Sequence, residues 1–269
     1  MKATYARAMK QIRLFEGGYV NHRRDPGGAT NFGVTQAVYD EYRSSKRMPK
    51  QTIRLITETE VNDIYLTKYA DKIRYDELPA GIDFATLDGA VNSGVSRGAK
   101  WLQTALGISA DGVVGVKTVA AATAADALET IKTLYARRTG FLRGLSTFST
   151  FGKGWLLRCA TGEAVATRLQ LEHRGISAKS LPIALQTEAD NAAASNSSAS
   201  SAAKGIGAGA AGSTTATAAE WSNLAGLESI LLVGATIGLV VLAAYLIHRS
   251  RVHRERAAAY AAVAAGAFA

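Results

Sequence analysis

The segment from Glu16 to Thr35, EGGYVNHRRDPGGATNFGVT, holds the residues whose types and spacing could do chemistry. Glu16 directly precedes two glycines and follows apolar residues at helical spacing, so we expect it at the C-terminal end of a helix. A carboxylate there meets the negative end of the helix dipole, and partial burial beside Phe15 and Tyr19 acts in the same direction. Both effects favour a protonated carboxyl group, which a general acid requires. The alternative is an exposed glutamate at an ordinary helix end.

Asp25 and Thr30 are the other candidate catalytic residues of this segment. Asp25 lies nine residues after Glu16 in the sequence Asp-Pro-Gly-Gly, and Thr30 follows five residues later. A turn between them would bring a carboxylate and a hydroxyl group back towards Glu16. Two carboxylates across a cleft are the minimum for glycosidic hydrolysis, because one protonates the leaving oxygen and the other activates water or stabilises positive charge. The alternative for Asp25 is a role in the turn alone.

The elements that must position these residues are helical. Apolar spacing predicts helices over about 4–15, 36–42, 57–69, 81–92, 97–106, 117–124, 127–145 and 154–173. Thr35 is the expected N-cap of the second helix, and Thr57 with Glu60 forms a capping box for the third. The glycine-rich residues 21–34 predict turns or a short hairpin. No stretch alternates long enough for a substantial sheet, so the fold class is mainly α.

Several separated motifs carry a family resemblance. EGGYVN followed by DPGGATNFGVT resembles the signature of glycoside hydrolase family 108, which comprises phage endolysins and secretion-associated muramidases. YADKIRYDELPAGIDFATLDGAVNSGVSRGAKWLQTALG resembles the rest of that catalytic domain. ADGVVGVKT and FGKGWLLR resemble the small helical peptidoglycan-binding region that usually follows it. The resemblance covers roughly residues 3–175.

The resemblance implies a lysozyme-like helical domain that cleaves the bond between N-acetylmuramic acid and N-acetylglucosamine in peptidoglycan. It also implies that Glu16 is the catalytic acid. The family usually has an acidic residue and a proline where this chain has His22 and Arg23. That departure leaves Asp25 as the carboxylate of the loop and leaves open whether the site works at full rate.

Five further residues are candidate substrate contacts. Asp88 and Asn92 are four residues apart on one predicted helix and share a face that could line a sugar cleft, although a solvated face or a buried helix cap would look the same. Asn31 and Thr35 could bind substrate or simply hold the hairpin. Tyr19 could be a sugar platform or part of the core.

The C-terminal third of the chain has a different composition. Residues 188–220 are almost entirely Ala, Ser, Gly and Thr, which predicts a flexible linker. Ile230–Ile247 contains no charged residue and predicts one transmembrane helix, with a buried core helix as the alternative. Four arginines follow it, so the positive-inside rule places the tail in the cytoplasm and the catalytic domain towards the periplasm or cell wall. The N-terminal residues contain no apolar run suited to a signal peptide, which leaves the export route open.

The predicted organisation therefore has five parts. They are a lysozyme-like catalytic domain (1–95), a helical peptidoglycan-binding-like region (96–180), the linker (188–220), the transmembrane helix (230–247) and a basic, then Ala-rich cytoplasmic tail (248–269). The predicted localisation is membrane-anchored, with a holin or a secretion system as a candidate partner.

Composition excludes several other classes. The single cysteine cannot form an internal disulfide or a cysteine-based zinc site, the four histidines lack metal-ligand spacing, and we expect no metal and no cofactor. The basic residues are scattered and no nucleic-acid motif is present, so we expect no nucleic-acid partner. The net charge is +9, from 31 basic and 22 acidic residues. Residues 188–269 contain five of each sign, so this charge lies in residues 1–187, where it suits an anionic cell wall.

The sequence thus predicts a peptidoglycan hydrolase of the lysozyme class that acts in cell lysis or local wall opening. The alternative is a non-catalytic, membrane-tethered peptidoglycan-binding or secretion-accessory protein.

Overall fold

The computed structural model describes residues 3–21, 28–194 and 252–266. The chain divides into two compact units, which span Met1–Ala178 and Lys179–Ala267. In the second unit, the described residues form helices over 181–194 and 252–264. The first unit contains every residue discussed below as part of the site.

The first unit is mainly helical, as the sequence predicts. Its elements are α1 (Ala3–Glu16), β1 (Thr30–Asn31), β2 (Val34–Thr35), α2 (Gln36–Ser45), α3 (Glu58–Tyr65), α4 (Ile82–Ser93), α5 (Val95–Ala105), α6 (Val116–Ala124), α7 (Ala127–Arg143) and α8 (Phe148–His173). A π-helical turn (Leu66–Ala70) continues α3, and short 3₁₀ turns occur at Ile53–Leu55, Asp71–Ile73 and Tyr75–Glu77.

The helix ends follow the local signals of the sequence. Glu16 is the last residue of α1, and Gly17 follows it with a left-handed φ of 75° that ends the helix. The Thr35 side chain accepts a hydrogen bond from the Val38 amide at 3.4 Å and caps α2. The predicted capping box between Thr57 and Glu60 is present at the start of α3.

Helix α4 is the centre of the core. Its residues from Ile82 to Ala90 are all buried, and α1, α5, α7 and α8 pack around it. Most residues of this segment are apolar or small, and they occur on every face of the helix. This pattern is expected for a helix that exposes no face to solvent. Two aspartates on this helix, Asp83 and Asp88, are therefore carried into the interior, where each needs hydrogen-bond partners.

A two-stranded antiparallel hairpin follows α1, in agreement with the predicted hairpin. Its register pairs Thr30 with Thr35 and Asn31 with Val34. The two turn residues, Phe32 and Gly33, have φ angles of 49° and 73°, as a type I′ turn requires. Thr30 and Val20 also exchange two backbone hydrogen bonds of 2.8 Å, so the hairpin is attached to the segment that leaves α1.

The prediction of a transmembrane helix is corrected by the structure. Among the described residues, no helix is both long enough and apolar enough to cross a bilayer. α8 has the necessary length at 26 residues, but charged side chains such as Lys153, Glu163 and Arg168 interrupt it. The predicted span at 230–247 lies outside the described residues. The described residues therefore do not support the predicted membrane helix or the membrane-anchored localisation inferred from it.

The other predicted domain boundaries remain predictions. The predicted boundary between residues 95 and 96 falls directly after the first residue of α5, within the first compact unit. Residues 188–194 of the predicted linker are helical, and the rest of the linker lies outside the described residues. The predicted tail includes the helix over 252–264.

Candidate functional site

Glu16 lies at the end of α1 with its side chain 21% exposed. Its Oε1 accepts a hydrogen bond of 2.8 Å from Nη1 of Arg158, a residue of α8 that is 142 positions away in the chain. The tertiary fold therefore supplies a cation to the carboxylate that the sequence singles out. Part of the Glu16 side chain remains open to solvent, as contact with a substrate requires.

Arg158 joins Glu16 to a buried charge network. Its Nε donates to Oδ1 of Asp88 at 2.9 Å, and its Nη2 lies 2.9 Å from the same oxygen. Asp88 is fully buried and also pairs through Oδ2 with the fully buried Arg138. Arg138 in turn donates to Oδ1 of Asn92 at 3.0 Å. Two carboxylates and two guanidinium groups thus alternate from the surface into the core.

The network holds its members in their charged forms. Burial alone raises the pKa of Asp88, but the positive charges of Arg138 and Arg158 outweigh it, and the pKa lies below its usual range. Burial lowers the pKa of Arg138, and the Asp88 carboxylate more than compensates. The same balance, with Glu16 as a second anion, raises the pKa of Arg158. The buried charges are therefore paired, as their low-dielectric surroundings demand.

The hairpin turn and α3 form the other side of the Glu16 carboxyl group. A Cβ atom built on Gly33 would overlap the Tyr65 hydroxyl oxygen and lie 2.9 Å from Oε2 of Glu16. The Tyr65 hydroxyl donates to the Phe32 carbonyl at 2.9 Å. Burial, followed by the negative charge of Glu16, raises the pKa of Tyr65, so it stays a neutral donor. Gly33 therefore lets the hairpin approach both side chains.

Replacing Gly33 with alanine is expected to displace the Glu16 carboxyl group. The left-handed backbone costs an L-residue about 1–2 kcal/mol. Displacement of a catalytic group by about 1 Å typically lowers a reaction rate by roughly 100-fold, so the same loss is expected here if Glu16 acts in the reaction. Steady-state kinetics and thermal unfolding measure the two effects. Gly107 is the matched control, because it has a φ of 69° and a Cβ atom added there would meet no atom within 4 Å. Gly107→Ala should lose similar stability and keep full activity; equal rate losses in both variants would contradict the placement of Gly33.

The predicted residues of the hairpin region are engaged in local structure. The Thr30 hydroxyl donates to the Gly28 carbonyl at 3.3 Å. Asn31 is buried, and its Nδ2 donates to the Ile53 carbonyl at 3.3 Å. Thr35 caps α2 as described above. The Arg54 guanidinium group lies over the Tyr19 ring, 3.9 Å from the ring centroid. The catalytic role of Thr30 and the substrate contacts of Asn31, Thr35 and Tyr19 remain predictions.

The remaining predicted site residues fall into three places. Asp25, the predicted second carboxylate, lies outside the described residues together with His22 and Arg23. Asn92 lies near the C-terminal end of α4, less buried than the rest of that helix. Asp88, by contrast, is completely buried, so its side chain reaches the Glu16 region only through Arg158. Burial favours a supporting role for Asp88 over direct contact with a sugar.

Arg158 is shared between two carboxylates, because Glu16 and Asp88 both pair with its guanidinium group. Within the described residues, no group of three or more His, Cys, Asp or Glu side chains could hold a metal ion.

Comparison with known proteins identifies the family. Residues 9–94 match the family model of glycosyl hydrolase 108. A solved structure, that of Brucella abortus SagA, is 42% identical, with a TM-score of 0.55, and the match covers 63% of this chain and 97% of SagA. The chain belongs to the glycosyl hydrolase 108 family. No match was found among curated proteins.

Membership in the glycosyl hydrolase 108 family makes the protein a glycoside hydrolase, with peptidoglycan as the fitting substrate class. Glu16, Asp88 and Asn92 lie within the matched residues 9–94. The predicted peptidoglycan-binding region over 96–180 is outside the family match and remains a prediction. The comparisons do not support the predicted holin or secretion partner.

Arg158 and Gly33 lie beside Glu16 but were not among the site residues predicted from the sequence. Arg158 is the last residue of FGKGWLLR, a segment that carries part of the family resemblance, so a signal for it was present. Gly33 lies within the predicted hairpin, where a left-handed turn is the ordinary reason for glycine. Its closeness to Glu16 depends on how the hairpin packs against α1.

Proposed function

We propose that this glycosyl hydrolase 108 protein is an N-acetylmuramidase of the lysozyme class, with Glu16 as its general acid. The observation that carries the proposal is the position of Glu16. It is a partly exposed carboxyl group at a helix end, held by Arg158 on one side and bordered by Gly33 on the other. The proposed substrate bond joins N-acetylmuramic acid to N-acetylglucosamine, and its cleavage serves cell lysis or local wall opening.

The proposed mechanism uses one proton and one water molecule. Glu16 gives its proton to the glycosidic oxygen as the bond from that oxygen to the anomeric carbon breaks. Water then adds its oxygen to the anomeric carbon, and its proton passes to a carboxylate. In this proposal Asp25 stabilises the positive charge of the transition state or receives the proton, and Thr30 helps to place the water.

The charge of the chain supports the proposed substrate class. The whole net charge of +9 belongs to residues 1–187, which contain the catalytic segment. Peptidoglycan and its associated wall polymers are anionic, so a cationic enzyme accumulates near them. This attraction raises the local concentration and the association rate but does not select the bond to be cleaved.

Analysis of the reaction products tests the proposed function. The full chain is incubated with purified peptidoglycan, and the released fragments are reduced and identified by mass spectrometry. N-acetylmuramic acid at the new reducing end supports the proposal. Reducing-end N-acetylglucosamine would assign the enzyme to the other glycosidic bond, and anhydro-muramic products would indicate a lytic transglycosylase. Binding without any product would favour the non-catalytic alternative.

A further inference from the structure

We propose that Arg158 is a positioning residue that holds the Glu16 carboxyl group for proton transfer, so that α8 completes the active site. This inference rests on the proposed function of Glu16. It places an essential part of the site outside residues 9–94, the segment matched by the family model. The catalytic segment alone would therefore lack a group that the reaction needs.

The geometry of Arg158 fits a positioning role. Its guanidinium group uses Nη1 for Glu16 and presents Nε and Nη2 to Asp88, so its two edges face two different carboxylates. The group also lies over the Phe15 ring, 4.9 Å from the centroid. Only 12% of the side chain is exposed. A planar guanidinium group that is held on both edges and on one face has little freedom to move. The direction of its hydrogen bond to Glu16 is therefore restricted.

The anchor behind Arg158 is itself rigid. Asp88 is fully buried in α4, where Arg138 and the Tyr135 hydroxyl both contact its Oδ2 atom. The Tyr135 hydroxyl lies 3.1 Å from that atom. The Asp88 side chain is therefore held in place independently of the Glu16 side chain. These contacts connect the Glu16 carboxyl group to the centre of the core. Support of this kind keeps a catalytic group within the small range of positions that a reaction allows.

The test measures kcat and KM of the full chain on soluble peptidoglycan fragments. Arg158→Met is expected to lower kcat by roughly 100-fold, since the carboxyl group loses its fixed position. KM should change less than about threefold. An unchanged kcat would overturn the proposal.

Arg158→Lys separates charge from geometry and serves as the second variant if Arg158→Met does not fold. Lysine keeps the cation but cannot bridge two carboxylates with a planar fork. We expect kcat to fall by about tenfold, a smaller loss than for Arg158→Met. Full activity of Arg158→Lys would show that the bidentate geometry is unnecessary and would contradict the positioning role.

Arg168→Met is the matched control. Arg168 is on the same helix, pairs with Glu172 at 2.9 Å and is 25% exposed, but it makes its ion pair within α8 rather than with Glu16. Its substitution should leave kcat unchanged. Binding to insoluble peptidoglycan is then compared in a Glu16→Gln background, with and without Arg158→Met. A loss of binding above about tenfold would make Arg158 a substrate-binding residue instead.

The two proposals fail in different ways. If the unmodified chain releases no muramic reducing ends, the proposed function is wrong. If the unmodified chain is active and Arg158→Met retains its rate, the proposed function stands and the positioning role is wrong. Thermal unfolding of each variant shows whether a rate loss comes from unfolded protein.

Discussion

Replacing Glu16 with glutamine is expected to lower kcat/KM for peptidoglycan hydrolysis by about 10²–10⁴-fold, the usual contribution of a general acid. Glutamine has nearly the same shape and can still accept the hydrogen bond that Arg158 donates at 2.8 Å. It has no proton to give to the leaving oxygen at neutral pH. The loss should therefore appear in kcat, while binding of the chain to insoluble peptidoglycan changes little.

Glu172→Gln is the control for this prediction. Glu172 is 20% exposed, compared with 21% for Glu16, and it also pairs with arginines, namely Arg7 and Arg168. The same chemical change is thus made in a similar environment away from the proposed site. Glu172→Gln should retain nearly full activity. If Glu16→Gln keeps more than about a tenth of the rate of the unmodified chain, Glu16 is not the general acid.

Replacing Asp88 with asparagine is expected to produce the largest loss of stability. Arg138, with a side chain that is 0% exposed, and Arg158, at 12%, would lose the anion they share. Removing one partner of a buried ion pair costs about 3–5 kcal/mol. For a domain of this size, each kcal/mol lowers the melting temperature by about 2–4 °C. Urea unfolding followed by circular dichroism measures the change in the free energy of unfolding.

The pH dependence of the Asp88 effect has a definite sign. The pKa of Asp88 is lowered in the folded chain, so its stabilisation is complete above the unfolded pKa of about 3.9. It disappears as the pH falls through the folded pKa. The difference between the unmodified chain and Asp88→Asn should be constant from about pH 5 to 7. It should shrink by about 1.4 kcal/mol for each pH unit below about 4.

Asp126→Asn provides the matched control for stability. Asp126 is 58% exposed, pairs with the 42% exposed Arg174 and caps α7 through the Glu129 amide. Asparagine keeps the capping oxygen, so only an exposed ion pair is lost, which costs about 0–1 kcal/mol. Equal losses in the two variants, or an Asp88→Asn effect that is the same at about pH 3 and pH 7, would show that the buried pairing is not responsible.

Most of the local structure could be predicted from the sequence. In the first unit, helices occur at each predicted place, and the caps at Thr35 and Thr57 are confirmed. The position of Glu16 at the end of α1 is also confirmed. These features depend on residues within a few positions of one another, such as an N-cap and the amide three residues later. Local hydrogen bonds and apolar periodicity are sufficient to specify them.

The partners of the predicted site residues could not be predicted in the same way. Asp88 and Asn92 share a helix face in the sequence, yet Asp88 is buried and Asn92 is not. The difference arises because α7 and α8 cover α4 and bring Arg138 and Arg158 to one end of that face. Helical periodicity gives the direction of a side chain but not the element that packs against it.

The prediction of a transmembrane helix also depended on local sequence alone. An apolar run of 18 residues meets the length rule for a membrane span, and the arginines after it suggest an orientation. These rules test one segment by itself. The segment lies outside the described residues, and no described helix has the length and apolarity to cross a bilayer.

By itself, the sequence determined the helical class, the helix ends and the acidic residue at the end of α1, because each depends on neighbours along the chain. Only the tertiary structure decided which groups surround that acid. Arg158 is 142 residues from Glu16, and Gly33 approaches it through a hairpin. Such contacts depend on the packing of α8 and the hairpin around α1 and α4, and packing depends on the shapes of all the side chains together.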